Sequence, residues 1–318
     1  MSFKLGLICL SVAVAGIYAN AEENQLTTNP TAEVKTTAPS KPVGAKLNVS
    51  STFVSLNGTE EAKNNLYSFG RTTATYHTFF GTYALPSPTW NLHLLSQYIQ
   101  NFVETTMFGT LYTDRTEGLS DTRIFTSKLF ILSAENFAVL EAGLNLPTGS
   151  INKENVTNPK FHYAYNMQMG SGTVDPVVAL TLMNQQKNLT SLIRTQAILR
   201  TGSKNTNGYH LGNDFQTTAS TEYQLAKHFS SVLKANYRNK NSVVGEDVAL
   251  PRMALTEYYY HDQINWDLTV ALKSQWELWS KVNLNLEAGR PLVQRMSNFD
   301  DVQVAAQFYG SAGVEGTF

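Results

Sequence analysis

The chain has 318 residues, a formal net charge of −1 and a single cysteine. Because no basic patch dominates this near-balanced charge, the composition argues against a nucleic-acid partner. Downstream of the N-terminal segment, no stretch approaches the about 18 uncharged apolar residues of a transmembrane helix, which excludes helical membrane spans there.

Residues 1–21 have the pattern of a secretory signal peptide. Lys4 provides the charged start, residues 5–17 the apolar core, and Ala-Asn-Ala at residues 19–21 the small-residue cleavage site. The alternative, a membrane anchor helix, would need a longer apolar run. Because Cys9 lies inside the signal, the exported chain is expected to have no disulfide and no cysteine-ligated metal.

Residues 22–45 are rich in Thr, Pro, Ala and Asn and offer little hydrophobic surface to bury. This composition favours a flexible periplasmic N-terminal arm. The alternative is a plug for the domain that follows. Residues 46–318 are predicted to form that domain, which is all-β.

Segments of alternating polar and apolar residues follow one another through this domain. The predicted strands are 47–56, 67–83, 90–112, 121–132, 138–146, 178–182, 193–200, 216–224, 229–238, 266–278, 282–288 and 302–318. The segment 90–112 alternates imperfectly and fits either one long strand or two short ones. Residues 255–260 fit an extension of the tenth strand.

The last strands separate two chemically different faces. From residue 304 to residue 318 every even position is apolar, and in 266–278 an apolar face alternates with one that carries Asp267, Lys273 and Glu277. A soluble core would pay several kcal/mol for each unpaired ion in such a row, whereas a watery lumen hydrates it. The pattern therefore predicts a transmembrane antiparallel up-and-down β-barrel with its apolar face toward lipid.

Aromatic residues mark the edges of the predicted lipid-facing belt. Trp266 and Trp276 lie on the apolar face, roughly 25 Å apart along the membrane normal at a strand tilt of about 40°. Phe318 ends the last strand, which we expect the outer-membrane barrel assembly machinery to recognise. These three residues form the predicted membrane girdle, with outer-membrane lipid as its partner.

Short turns near residues 134, 186, 227 and 279 alternate with longer loops near 115, 158, 206, 250 and 296. Short periplasmic turns and long external loops are typical of barrels in the outer membrane of Gram-negative bacteria. The pattern predicts about twelve strands with both termini in the periplasm, and roughly ten or fourteen strands would also fit it.

Charged residues of both signs recur on the predicted lumen face. The pore-lining candidates are Glu141, Arg194, Arg200, Glu222, Lys234, Arg238, Asp267, Lys273 and Glu287. They would either form a constriction that selects small-molecule solutes by charge or pair across strands and fill a narrow barrel. Their near-balanced signs argue against a strongly ion-selective pore.

Three spaced motifs resemble those of a known barrel family. They are Gly118-Leu-Ser-Asp121, Leu144-Asn-Leu-Pro-Thr-Gly149 and Gly170-Ser-Gly-Thr-Val-Asp175, with Pro147 and Gly172 inside them. Over roughly residues 118–182 the chain resembles the transporter-like outer-membrane proteins associated with meta-pathway phenol degradation. The resemblance implies passive passage of small, aromatic or hydrophobic solutes. Physically, the glycines permit turns and bulges at the barrel rim, so the motifs are interpreted first as fold markers.

Two other functions suit an outer-membrane barrel. A lipid hydrolase would place a serine, a histidine and an orienting group near the membrane surface. The six histidines are scattered, however, and none forms a recognisable motif with a serine. The sequence also contains no hydrolase, metalloprotease or phosphate-loop motif. A closed structural or surface-binding barrel would act through its external loops. The sequence favours a non-enzymatic channel, with no catalytic residue, metal or cofactor expected.

The inside-outside assignment predicts unequal tolerance of arginine. Leu268→Arg or Leu284→Arg should impair membrane insertion far more than Asn283→Arg, because a lipid-facing arginine costs about 2–4 kcal/mol near the bilayer midplane. The folded, heat-modifiable fraction in lipid vesicles measures the difference. Equal folding of all three variants would contradict the assignment.

Overall fold

The computed structural model describes most of the chain from residue 44 onward. The described residues are 44–58, 67–87, 89–107, 110–155, 159–163, 165–200, 202–250, 263–279, 281–297 and 304–318. The predicted signal, nearly all of the predicted arm and the predicted extension at 255–260 lie outside them. Within the described ranges no helix has the length and apolarity to cross a membrane.

The secondary structure is almost entirely β. In chain order the strands are β1 (Ala45–Gly58), β2 (Tyr67–Ala84), β3 (Trp90–Met107), β4 (Thr110–Leu119), β5 (Thr122–Ile131), β6 (Asn136–Leu146), β7 (Asp175–Gln185), β8 (Leu189–Ile198), β9 (Tyr209–His210), β10 (Asp214–Ala226), β11 (Phe229–Lys240), β12 (Val244–Gly245), β13 (Gln263–Trp279), β14 (Val282–Ser297) and β15 (Val304–Thr317). One 3₁₀ turn, Tyr165–Met167, lies between β6 and β7.

The main sheet closes on itself. β1 pairs antiparallel with β15 and with β2, and the neighbour-to-neighbour pairing continues around the sheet to β3, which pairs with β2. Closure pairs the two ends of the barrel wall, whose backbone groups lipid could not hydrogen-bond, while β4 pairs with β3 alone among the described strands. The short strands β9 and β12 pair separately. The predicted all-β antiparallel barrel is confirmed.

The strand number is also confirmed, through an interrupted strand. β4 pairs with the second half of β3, and β5 with its first half. β4 and β5 are therefore two halves of one strand, broken at Ser120 and Asp121, and the barrel has 12 strands. At the break the Ser120 amide still donates to the Gln97 carbonyl at 2.8 Å, so the ladder to β3 continues.

The predicted external loop near residue 115 is wrong, because this segment belongs to β4. The residues Gly118-Leu-Ser-Asp121 have the composition of a turn. The sequence therefore predicted a strand that begins at residue 121 and missed its first half, β4. The segment 90–112 is one strand up to Met107, with β4 beginning at Thr110.

Alternation separates the two faces of the barrel wall. In β8, Ile193 is 53% exposed and Arg194 only 7%. The same register places Leu182 beside Ile193 and Leu233 beside Val270, all lipid-facing. The neighbouring rows Thr181, Lys234 and Thr269 are buried on the lumen side.

The interior is less uniformly polar than the sequence suggested. Its largest apolar cluster contains Val54, Leu56, Ala74, Tyr76, Ile99, Val103, Tyr163, Met167, Met169, Val232, Ala271 and Tyr309. Three of these belong to the segment 147–174, which the sequence placed as an external loop near 158. We name this segment the inward loop, because Tyr163, Met167 and Met169 among its described residues pack inside the barrel. Ala306, on the predicted lipid face, also packs against the cluster because a bulge beside Ser55 and Leu56 shifts its register.

A glycine makes room for an aromatic ring inside the wall. Gly289 pairs with Tyr309, and a Cβ at Gly289 would lie 2.7 Å from the Tyr309 ring and 2.8 Å from the Ala271 Cβ. Gly310 has no such neighbour within 4 Å.

Gly289→Ala should therefore destabilise the barrel by about 1–3 kcal/mol through overpacking. Gly310→Ala is the matched control and should change stability by no more than about 0.5 kcal/mol. Urea unfolding in lipid vesicles measures both changes. Similar effects of the two variants would argue against the ring packing.

Candidate functional site

The Asp121 carboxylate connects all three sequence motifs. It accepts hydrogen bonds from the Gly149 amide at 3.1 Å, the Ser171 amide at 2.8 Å, the Ser171 hydroxyl at 2.6 Å and the Asn145 side-chain amide at 3.0 Å. Bonds to a charged carboxylate are roughly twice as strong as neutral ones. We name this arrangement the Asp121 junction. It holds both ends of the inward loop at the break between β4 and β5.

Two glycines allow the loop ends to meet. A Cβ at Gly170 would lie 2.4 Å from the Gly149 carbonyl oxygen and 2.6 Å from the Asp121 carboxylate. Gly172 has a φ of 71°, a left-handed conformation that costs glycine least. Gly118 and Pro147 lie at the flanks, near the end of β4 and just after β6. The structure thus brings the motif residues together.

Asp175 extends the junction to β8. Its carboxylate is fully buried, accepts a bond that the Thr173 hydroxyl shares between its two oxygens at 3.0 and 3.1 Å, and lies 3.3 Å from the Ser171 hydroxyl oxygen. It also forms an ion pair with Arg200. Ser171 therefore bridges the two motif aspartates.

Further contacts hold the inward loop. The Tyr163 hydroxyl donates to Asp114 of β4 at 2.7 Å. His162 Nδ1 lies 2.8 Å from Asp247, whose amide donates to the Tyr165 hydroxyl at 3.1 Å. The Tyr165 ring lies 4.4 Å from that of Tyr209, and burial raises the pKa of the Tyr209 phenol.

The pore-lining candidates lie on the lumen side, mostly in pairs. Arg194 donates to Glu141 at 2.9 and 2.7 Å. Lys273 donates to Glu222 at 3.0 Å.

The remaining candidates have varied partners. Arg238 pairs with Asp214, Arg200 with Asp175, Asp267 accepts from Asn236 at 3.0 Å, and Glu287 accepts from the Tyr309 hydroxyl at 2.6 Å. Lys234 is buried on β11. This arrangement resembles the second sequence interpretation, cross-strand pairing, but the role of these residues in solute passage stays a prediction.

Two cavities lie along the charged wall. One, of about 130 Å³, lies between the inward loop and the wall and is lined by Asp121, Arg123, Arg200, Asp214 and other residues. The second, of about 270 Å³, lies at the short turns and is lined by Lys187, Glu222, His228 and Lys273 among others.

The predicted girdle residues are exposed on the outer face. Trp266 lies under the Arg295 guanidinium at 5.8 Å, and Trp276 stacks with His228 at 4.5 Å. Phe318 is 72% exposed. Their membrane contacts stay a prediction.

A serine and a histidine do meet inside the barrel. His93 Nε2 lies 2.8 Å from the Ser127 hydroxyl, and its Nδ1 lies 3.0 Å from the Thr82 hydroxyl. The imidazole stacks between Phe80 and Phe125. In a catalytic triad a carboxylate would orient the histidine, but here the partner is the Thr82 hydroxyl. The Ser127–His93 pair also faces inward, whereas a lipid hydrolase needs its serine and histidine near the membrane surface.

Sequence reasoning missed several site residues. Arg123 and Asp214 occupy lumen-side positions of predicted or adjoining strands, so alternation could have found them. Tyr163 lies in the inward loop, outside the strands, where no alternation of polar and apolar residues indicates whether a side chain faces the lumen.

Comparison with known proteins shows the fold. No family model and no curated protein matches this sequence. The crystal structure of a COG4313 outer membrane channel from Pseudomonas putida F1 aligns over 90% of this chain and 100% of that chain, with a TM-score of 0.58 and 13% identity. The NanC porin aligns over 86% and 100%, with a TM-score of 0.43 and 10% identity. The transport unit of the autotransporter AIDA-I from Escherichia coli aligns over 95% and 98%, with a TM-score of 0.48 and 9% identity.

The chain therefore has the architecture of an outer-membrane β-barrel. This agrees with the predicted outer-membrane location. The resemblance of the three motifs to the phenol-degradation family is matched by no family model and stays a prediction.

Asp121→Asn should loosen the inward loop without unfolding the barrel. The amide cannot accept from all the donors that now converge on Asp121, and each buried donor left unsatisfied costs about 1–3 kcal/mol. Limited proteolysis and hydrogen exchange should then show faster cleavage and exchange within residues 147–174. Glu117→Gln, at a partly exposed position of β4 whose side chain forms an ion pair with Arg115, is the control. An unchanged loop in the Asp121 variant would contradict the junction's role.

Proposed function

We propose that the protein is a passive outer-membrane channel for small solutes. The observation that carries this proposal is the barrel interior: a charged wall and an inward loop enclose cavities, while the outer face is apolar. A charged interior is inexpensive where water or a solute enters the lumen and costly where neither does. Likeness to a solved outer membrane channel supports the same function.

The proposal includes aromatic and hydrophobic solutes among the cargo. The motif resemblance implies them, and the apolar cluster around Ile99, Met167 and Tyr309 gives one side of the lumen a compatible surface. An apolar body would remove more of its own surface and of the protein's apolar surface from water there than beside the ion pairs of β8 and β13, which is favourable.

A closed structural or surface-binding barrel is the second candidate. The contacts of His162 with Asp247 and of Tyr163 with Asp114 favour it, because they lock the inward loop from both sides. The Ser127–His93 geometry gives a lipid hydrolase no comparable support.

Single-channel recording in planar bilayers tests the channel. The refolded barrel should give a steady conductance, and Tyr163→Ala should raise it, because the buried ring occupies the lumen. Tyr237→Ala, which removes a lipid-facing tyrosine, is the matched control and should leave the conductance unchanged.

A correctly inserted but silent barrel would contradict the channel and support the surface-binding function. Equal conductance of the two tyrosine variants would show that the inward loop does not limit the path.

A further inference from the structure

The cavity beneath the inward loop has an excess of cationic side chains. Arg123, Arg200, Arg238 and Lys240 line it, against the two carboxylates Asp121 and Asp214. Those four cations come from three different strand regions, so the fold brings them together although the sequence separates them.

Both lining carboxylates already accept several hydrogen bonds. Asp121 accepts the junction donors, and Asp214 accepts from the Arg238 guanidinium, with the Nε contact at 2.8 Å. Lys240 lies opposite Asp214 in the strand register. Even counting Asp175, which pairs with Arg200, the cations exceed the anions around this cavity.

Arg200 adds an independent observation. Its side chain is only 8% exposed, and its Nε has no hydrogen-bond partner among the described residues. A buried guanidinium N–H without an acceptor is costly, so an acceptor in the cavity would be stabilising.

Apolar side chains also line this cavity. Leu95, Ile99, Met169 and Ile198 contribute to its lining. Its volume of about 130 Å³ is close to that of an engineered cavity of about 150 Å³ that holds benzene. One compact group with an anionic end and an apolar body matches both its size and its polarity.

We propose that this cavity binds the carboxylate of a small amphipathic acid, such as an aromatic carboxylic acid. The carboxylate binds beside Arg123, Arg200 and Lys240, and the apolar body contacts Ile99 and Met169. Planar guanidinium groups suit carboxylates because they can donate two parallel hydrogen bonds. This inference rests on the proposed channel and specifies one class of its solutes.

Calorimetry on the refolded barrel in detergent tests the site directly, with benzoate as the probe. Benzyl alcohol keeps the ring and removes the charge, acetate keeps the carboxylate and removes the ring, and inorganic phosphate is an anion without an apolar body. Benzoate should bind roughly tenfold or more tightly than benzyl alcohol, because a charge-assisted hydrogen bond contributes about 1.5–3 kcal/mol. Acetate and phosphate should both bind more weakly than benzoate.

Lys240→Gln and Arg123→Gln should each weaken benzoate binding by about fivefold or more. Lys204→Gln removes the same charge from an exposed external position and should leave the affinity unchanged. Lys240 forms no ion pair within the described residues, so its variant keeps the site testable if Arg123→Gln fails to fold.

Three results would overturn the site: equal binding of benzoate and benzyl alcohol, equal binding of benzoate and phosphate, or unchanged affinity in both cavity variants. Block of the single-channel current by benzoate separates the two proposals. A conducting barrel without benzoate binding would refute the site and leave the channel standing. Benzoate binding by a silent barrel would support the site and refute the channel.

Discussion

The interior of this barrel depends on the Asp121 carboxylate. It lies where β4 and β5 break, and it accepts hydrogen bonds from Gly149 and Ser171 at the two ends of the inward loop. A carboxylate that accepts several backbone and hydroxyl bonds can be buried at a tolerable cost. The strand break is therefore not a defect in the wall. At this break the backbone changes direction, and the Asp121 side chain can therefore reach both ends of the inward loop.

Fixing the loop ends places Met167 and Met169 in an apolar cluster inside the barrel. Most strand residues of this cluster belong to β1, β2 and β3, and Val232 and Ala271 join it from β11 and β13, which also carry the buried Lys234 and Lys273. Long unbranched methionine side chains adapt to irregular gaps, which suits a loop that packs against several strands. Two of the remaining cavities lie along the charged wall.

Alternation predicted the barrel because lipid and lumen impose opposite chemistry on successive residues of each strand. It failed where the lumen is not watery. Leu95, Ile99 and Val103 face inward under the inward loop, and they are what made the alternation of residues 90–112 imperfect. That irregularity was a signal for an internal packing partner. The convergence of Asp121, Ser171 and Asp175 could not be read from spacing, since it depends on loop ends returning to one strand break.

The ion pairs on the lumen side differ in how deeply they are buried, and therefore in the free energy needed to separate them. Asp175 is fully buried, and separating it from Arg200 would leave an uncompensated charge at a cost of about 3–5 kcal/mol. The Glu222 side chain, paired with Lys273 at the short-turn end, is 27% exposed, and water there screens the pair and lowers the cost of opening it. The fully buried pair therefore holds the fold, whereas the partly exposed Glu222 carboxylate can also accept hydrogen bonds from water. In the proposed channel, charge selection would depend on where each pair meets water, which the near-neutral total charge does not reveal.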